Sequence, residues 1–164
     1  MSAAASAQPA RTSYASDRPN RVYAELLGNA GGGSVNYERE LAPRVTARVG
    51  FGYMPGLPET TVDAVAAPVM VSFTPRGRRG VELGVGVVLR HQTEGRRVYR
   101  GGGYVDQGAQ FTDTFLTATV GYRWITEGGT VLRVGLTPLY GRPEGNDHVS
   151  GGVPLVGVSV GGAF

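Results

Sequence analysis

A chain of 164 residues is about one domain long, and its 27 glycines and absent cysteine speak against a helical bundle and exclude a disulfide framework, a thiolate nucleophile or a zinc–cysteine centre. Hydrophobic residues make up 41% and charged residues 18%, and the net charge of +3 comes from arginines scattered singly rather than gathered in a stripe with aromatics, so nucleic acid is not an expected partner. No run of 18 apolar residues occurs, which excludes a transmembrane helix, and two histidines, His91 and His148, leave little for a metal site, so no cofactor is expected.

The chain begins "MSAAASAQPA", with neither a basic n-region nor an apolar h-region, although Ala5-Ser6-Ala7 has the small-x-small form of a cleavage site. Residues 1–19 are expected to be a flexible tail, from a signal peptide that is trimmed or whose start is mis-assigned, with a disordered start of a cytoplasmic protein as the alternative, and 20–164 a single β-barrel. Strict alternation and turn clusters place eight strands at 21–29, 34–41, 44–54, 62–74, 80–91, 112–124, 130–140 and 152–164. "RVTARVGFGY" is typical: Val45, Ala47, Val49, Phe51 and Tyr53 form one face, and Arg44, Thr46, Arg48, Gly50 and Gly52 the other.

The connections alternate in length. "LAPR", "PRGRRG" and "TEGG" are tight, whereas "PGLPETT", the stretch 92–111 and "RPEGNDHVSG" are long and polar; "AGGGS" alone is short where a long loop is expected. Short turns at one end and long loops at the other describe an all-β, eight-stranded antiparallel up-and-down transmembrane barrel of an outer membrane, with both termini at the periplasmic end.

The later strands sort in the same way. Val81, Leu83, Val85, Val87 and Leu89 oppose Glu82, Gly84, Gly86, Val88 and Arg90, and Leu116, Ala118, Val120, Tyr122 and Trp124 oppose Thr117, Thr119, Gly121 and Arg123. The apolar sides suit lipid, and charges mixed with glycines suit a narrow lumen where small residues make room for long ones. Glu25, Glu38, Glu40, Arg44, Arg48, Glu82, Arg90, Arg123 and Arg133 share the inward parity and are the candidate lumen charge network. Isolated buried charges are too costly to retain, so these must pair, and a turn near Leu41 to Pro43 sets Glu38 or Glu40 opposite Arg44. A soluble sandwich would reverse the two faces. The aromatics favour the membrane, because Phe73, Trp124 and Phe164 fall outward at the lower rim and Tyr53 and Tyr140 outward at the upper rim.

The closing "VPLVGVSVGGAF", with Phe164 last, resembles the terminal signal by which outer-membrane barrels are recognised for assembly. From about residue 20 to 164 the chain resembles the small eight-stranded barrels of the OmpA and OmpX type. It is more similar still to outer membrane β-barrel families of Gram-negative bacteria in "GFGY", "ELGVG", "VGYRW" and "VGLTPLYG". The resemblance implies a Gram-negative outer-membrane location, contact with lipid and lipopolysaccharide, and handling by the barrel-assembly machinery through the last strand; it supplies no catalytic residue and sets no oligomeric state.

His148-Val149-Ser150 has the H-x-S spacing of eight-stranded lipid A deacylases, but nothing acidic follows to orient the histidine, so no enzyme is expected. In the loop 92–111, Arg96, Arg97 and Arg100 stand with Tyr99 and Tyr104, a combination able to contact lipopolysaccharide phosphates. The expected function is a filled-lumen barrel with a structural, adhesive or envelope-maintenance role. A narrow pore or small apolar-solute carrier, and a soluble lipocalin-like ligand-binding barrel, are the alternatives.

Overall fold

The computed structural model describes residues 18–54, 62–74, 77–100, 103–141 and 153–164, with backbone alone at 62, 94–100, 103–107 and 153. Its eight strands are β1 (Asn20–Leu26), β2 (Gly33–Ala42), β3 (Val45–Met54), β4 (Val62–Phe73), β5 (Arg79–Arg100), β6 (Gly103–Ile125), β7 (Thr130–Tyr140) and β8 (Val153–Ala163). Each pairs antiparallel with its sequence neighbours, and β1 pairs with β8 from Arg21↔Ala163 to Leu26↔Val158, which closes the barrel and leaves it without a sheet edge. The backbones of Asn20 and Phe164 exchange hydrogen bonds of 2.9 and 3.1 Å and complete the seam. The sandwich is thereby excluded.

Burial follows the period of two, but with the sorting of a soluble protein inverted. Among the described residues the buried set holds 18 polar or charged residues against 8 hydrophobic ones, while Val35, Phe51, Val85, Leu116 and Val158 stand on the outer face, each more than half exposed. A soluble domain does the opposite.

The turns at the lower end are tight, as the sequence predicts. Pro43 and Arg44 alone link β2 to β3, with Arg44 in the left-handed region (φ 73°). Thr126 to Gly129 link β6 to β7, closed by Thr126 N–H to the Thr130 carbonyl at 2.9 Å and Gly129 N–H to the Thr126 carbonyl at 3.1 Å.

Two expectations are corrected at the upper end. Residues 92–111 were expected as a loop, but β5 and β6 continue as one ladder to the pair Arg100↔Gly103. From the last described β4 pair, Val62↔Glu94, the β5–β6 ladder runs about 20 Å further along the strand, at ~3.3 Å per residue. Above an apolar belt both faces of a hairpin can be polar, so the alternation disappears from the sequence while the ladder persists. The strand expected over 21–29 stops at Leu26, where Leu27 turns left-handed (φ 66°) and its N–H bonds the Gly32 carbonyl at 2.6 Å. Gly28, Asn29 and Ala30 are then buried. The segment 28–30, just ahead of the glycines of "AGGGS", tucks down into the barrel mouth.

Candidate functional site: the filled lumen

The lumen is filled in three tiers. In the lowest, Glu38 on β2 receives Arg21 Nη1 from β1 at 2.6 Å and Arg123 Nη1 from β6 at 3.4 Å on Oε1, and Arg133 Nη2 from β7 at 2.6 Å on Oε2. Arg133 also reaches Glu82 on β5 at 3.1 Å, and Arg21 reaches Glu40 at 3.4 Å. The register sets Arg123 and Arg133 directly opposite one another on adjacent strands, an arrangement that is repulsive by itself. Glu38 offsets it from the far wall, so the pairing runs across the barrel and staples β2 to β6 and β7.

In the middle tier Arg48 donates to the Tyr23 hydroxyl at 3.1 Å, lies 3.7 Å from Glu25 and rests against the Met70 sulfur. Asn36 donates to Glu25 at 3.3 Å and to Ser34 at 2.9 Å, and the Arg133 guanidinium stacks 4.5 Å above the Tyr23 ring. The uppermost tier is apolar: Ala30 from the tuck meets Ala66, Val88 and Phe115. Asn29 fixes the tuck, donating to the Met70 sulfur at 2.7 Å and accepting from the Thr117 hydroxyl at 2.9 Å. Above it Arg90 lies 4.9 Å over the Phe115 ring and 3.9 Å from Asp113.

The inward glycines are the spaces into which these groups pack. A side chain on Gly52 would collide with the Ala30 methyl, one on Gly157 with Gly28 and Glu25 at 2.8 Å, and one on Gly161 with the backbone and side chain of Tyr23. Glycine stands at these inward positions because the tuck and the tyrosine come within van der Waals distance of the wall.

The nine sequence-proposed lumen charges fall into three groups. Glu25, Glu38, Arg48, Glu82, Arg123 and Arg133 are buried in the interior. Glu40 and Arg90 lie at its two ends, partly exposed. Arg44 is not in the network: the register pairs Glu38 with Arg48 and Glu40 with Thr46, a bulge follows, and Arg44 occupies the turn with its guanidinium 4.2 Å over the Phe73 ring. Neither Glu38 nor Glu40 lies opposite it.

Sequence reasoning omitted Arg21, Tyr23, Asn29, Asn36, Met70 and Asp113. Arg21 and Tyr23 share the parity of Glu25, and Asp113 that of Arg123, so alternation could have found them. No periodic signal marks Asn29.

The rim aromatics Tyr53, Phe73, Trp124, Tyr140 and Phe164 all stand exposed on the outer face. Arg79 covers Trp124 at 5.3 Å as Arg44 covers Phe73, and Tyr53 donates to Asp63 at 2.9 Å. Arg96, Arg97, Tyr99, Arg100 and Tyr104 lie on the backbone of the long hairpin, with Tyr99 opposite Tyr104, but their side chains are outside the described residues, as are 1–17 and the whole of His148 and Ser150. Among the described residues no cluster of His, Cys, Asp and Glu could hold a metal ion.

No family model matches the chain, and no curated protein matches it. Solved structures do. The N-terminal β-barrel domain of Pseudomonas aeruginosa OprF superposes with a TM-score of 0.59 at 14% identity, covering 88% of this chain and 95% of that one. Neisserial surface protein A gives 0.60 at 13%, covering 88% and 93%, and Ail, the attachment invasion locus protein of Yersinia pestis, gives 0.52 at 13%, covering 88% and 95%. At such identities the likeness is one of fold, and that fold is the small eight-stranded barrel of outer-membrane proteins.

Proposed function

We propose that the chain is an integral outer-membrane barrel of a Gram-negative bacterium, sealed along its axis, with a structural, adhesive or envelope-maintenance role and no catalytic activity. The observation that carries this reading is the inverted sorting of side chains. On β5 the outward residues run from Val81 to Leu89, about 26 Å along the strand. With a barrel tilt of ~40° this spans about 20 Å of membrane, close to the ~25 Å apolar band of such barrels. A soluble monomer rarely exposes a continuous apolar patch beyond a few hundred Å². A lipocalin-like barrel, moreover, needs an apolar interior, where this one holds paired charges.

The single tryptophan, Trp124, is a direct reporter at the lower rim. In vesicles its emission is expected to be quenched more strongly by lipids brominated near the headgroup than by lipids brominated at the chain ends. Protein that stays monodisperse without detergent and shows no quenching would sink the membrane reading. In planar bilayers the wild-type barrel is expected to give no steady current, because two tiers of ion pairs and one apolar tier lie in series; steady conductance would establish the pore instead.

The hairpin above the barrel is the proposed contact surface. Its three arginines and two tyrosines supply forked donors and flat faces suited to lipopolysaccharide phosphates. Replacing Arg96, Arg97 and Arg100 together by alanine is expected to weaken binding to lipopolysaccharide-coated surfaces at least tenfold while heat-modifiable gel migration is unchanged.

A further inference from the structure

At the opposite end, the lower mouth of the barrel holds a cavity of about 220 Å³ beneath the lowest tier of ion pairs. Four arginines line it: Arg18 before β1, Arg21 on β1, Arg78 before β5 and Arg123 on β6. Among the described residues, the one acidic residue in its lining is Glu127, in the β6–β7 turn. Of the other carboxylates nearby, Glu38 is shared by Arg21, Arg123 and Arg133, and Glu40 is drawn to Arg21, so the charge of the two inner arginines is balanced from the lumen side and the outer pair, Arg18 and Arg78, carries the attraction for an anion.

Arg21 and Arg123 are each 1% exposed and are held in place by Glu38, with their Nε unpartnered as are those of Arg48 and Arg133 in the lumen. Glu127, paired with Arg78 at 2.8 Å, has a side chain 90% exposed, so this ion pair is weakly held and open to exchange. Every one of the 16 cationic residues in the chain is arginine, whose planar fork matches phosphate oxygens two at a time. Gly129 (φ 91°), against which the Arg18 guanidinium lies, and Gly77 (φ 97°) are the turn positions bordering the cavity.

We propose that this mouth is a binding site for a phosphate group, with Arg18 and the partly exposed Arg78 as the forks that reach it and Arg21 and Arg123, held by Glu38, as the fixed wall behind them. The phosphate arrives either on a soluble ester or on a phospholipid headgroup at the same rim, and the two sources can be told apart. The full chain, folded in uncharged maltoside micelles, is titrated calorimetrically with inorganic pyrophosphate and, separately, with dihexanoyl-phosphatidylglycerol.

Saturable binding of either probe is expected, at least tenfold weaker in the double variant Arg18→Ala, Arg78→Ala. Preference for pyrophosphate assigns the soluble source, and preference for the lipid assigns the headgroup. Arg39→Ala, which removes an exposed rim arginine outside the cavity, is the control and should bind as wild type. Absence of binding by both probes, undiminished affinity in the double variant, or equal loss in the control would each overturn the site. Because both substituted arginines lie outside the buried ion-pair tier, heat-modifiable migration should be unchanged and a loss of binding is not a loss of fold. The titration does not depend on the sealed-barrel reading, which fails or stands on quenching and conductance.

Discussion

Glu38→Ala is expected to lower the stability of the folded barrel by about 3 to 5 kcal/mol, the cost of breaking a buried ion pair by removing one partner. Three guanidinium groups lose the carboxylate they share, and Arg123 and Arg133 remain directly opposite one another with Glu82, 3.1 Å from Arg133, as the carboxylate left to offset them. Equilibrium urea unfolding in lipid vesicles measures the loss. Glu38→Gln separates charge from volume: it fills the same space and keeps a hydrogen-bonding oxygen, so if charge is what matters most of the loss should remain. Glu40→Ala removes a partly exposed carboxylate with a single 3.4 Å partner and should cost less than about 1 kcal/mol. Wild-type stability in Glu38→Gln would show that the lumen is held by packing and that the ion pairs are incidental.

Arg44 marks where legibility in the sequence ended. Alternation identifies which face a residue takes once its strand and phase are known, and it placed Glu38, Arg48, Arg123 and Arg133 on the interior side. It carries no information about where a strand stops. The bulge after Glu40 and the two-residue turn lift Arg44 out of phase, and its guanidinium settles on Phe73 at the rim. Arg44→Ala is therefore expected to change stability by less than about 1 kcal/mol, as for a partly exposed cation–π contact, whereas Arg48→Ala leaves the buried Glu25 without its guanidinium and the Tyr23 hydroxyl without its donor and should cost several times more. Pairing across the barrel was equally hidden. Register rules relate adjacent strands, but Glu38 finds Arg123 and Arg133 on the facing wall, a relation that exists only once β1 and β8 have closed. The long hairpin escaped for a different reason: a ladder polar on both faces has no hydrophobic period.

The tuck of the β1–β2 connection is the feature least visible in the sequence, and Gly52 is the residue that permits it. A valine there overlaps the Ala30 methyl and lies 3.1 Å from the Gly33 carbonyl and the Ser34 side chain, so the tuck must leave the mouth or β3 must move. The tuck is the cheaper of the two to displace. It is held by the two hydrogen bonds of Asn29 and the burial of one methyl group, together about 3 kcal/mol at roughly 1 kcal/mol per bond plus the apolar term, whereas moving β3 breaks ladders on both sides. Because the chain has no cysteine, a single Val88→Cys reports on the space beneath the tuck without adding volume. In the wild-type background this thiol, placed where Val88 is 1% exposed, should react slowly with a membrane-impermeant maleimide. Adding Gly52→Val is expected to raise the rate about a hundredfold, since ~3 kcal/mol of closure is lost at tenfold per 1.4 kcal/mol. Gly162→Val, which points outward into open space, should leave the rate unchanged. If Gly52→Val keeps heat-modifiable migration and the thiol remains protected, the tuck is not the cover of the upper lumen, and the apolar tier must be closed by the strand walls alone.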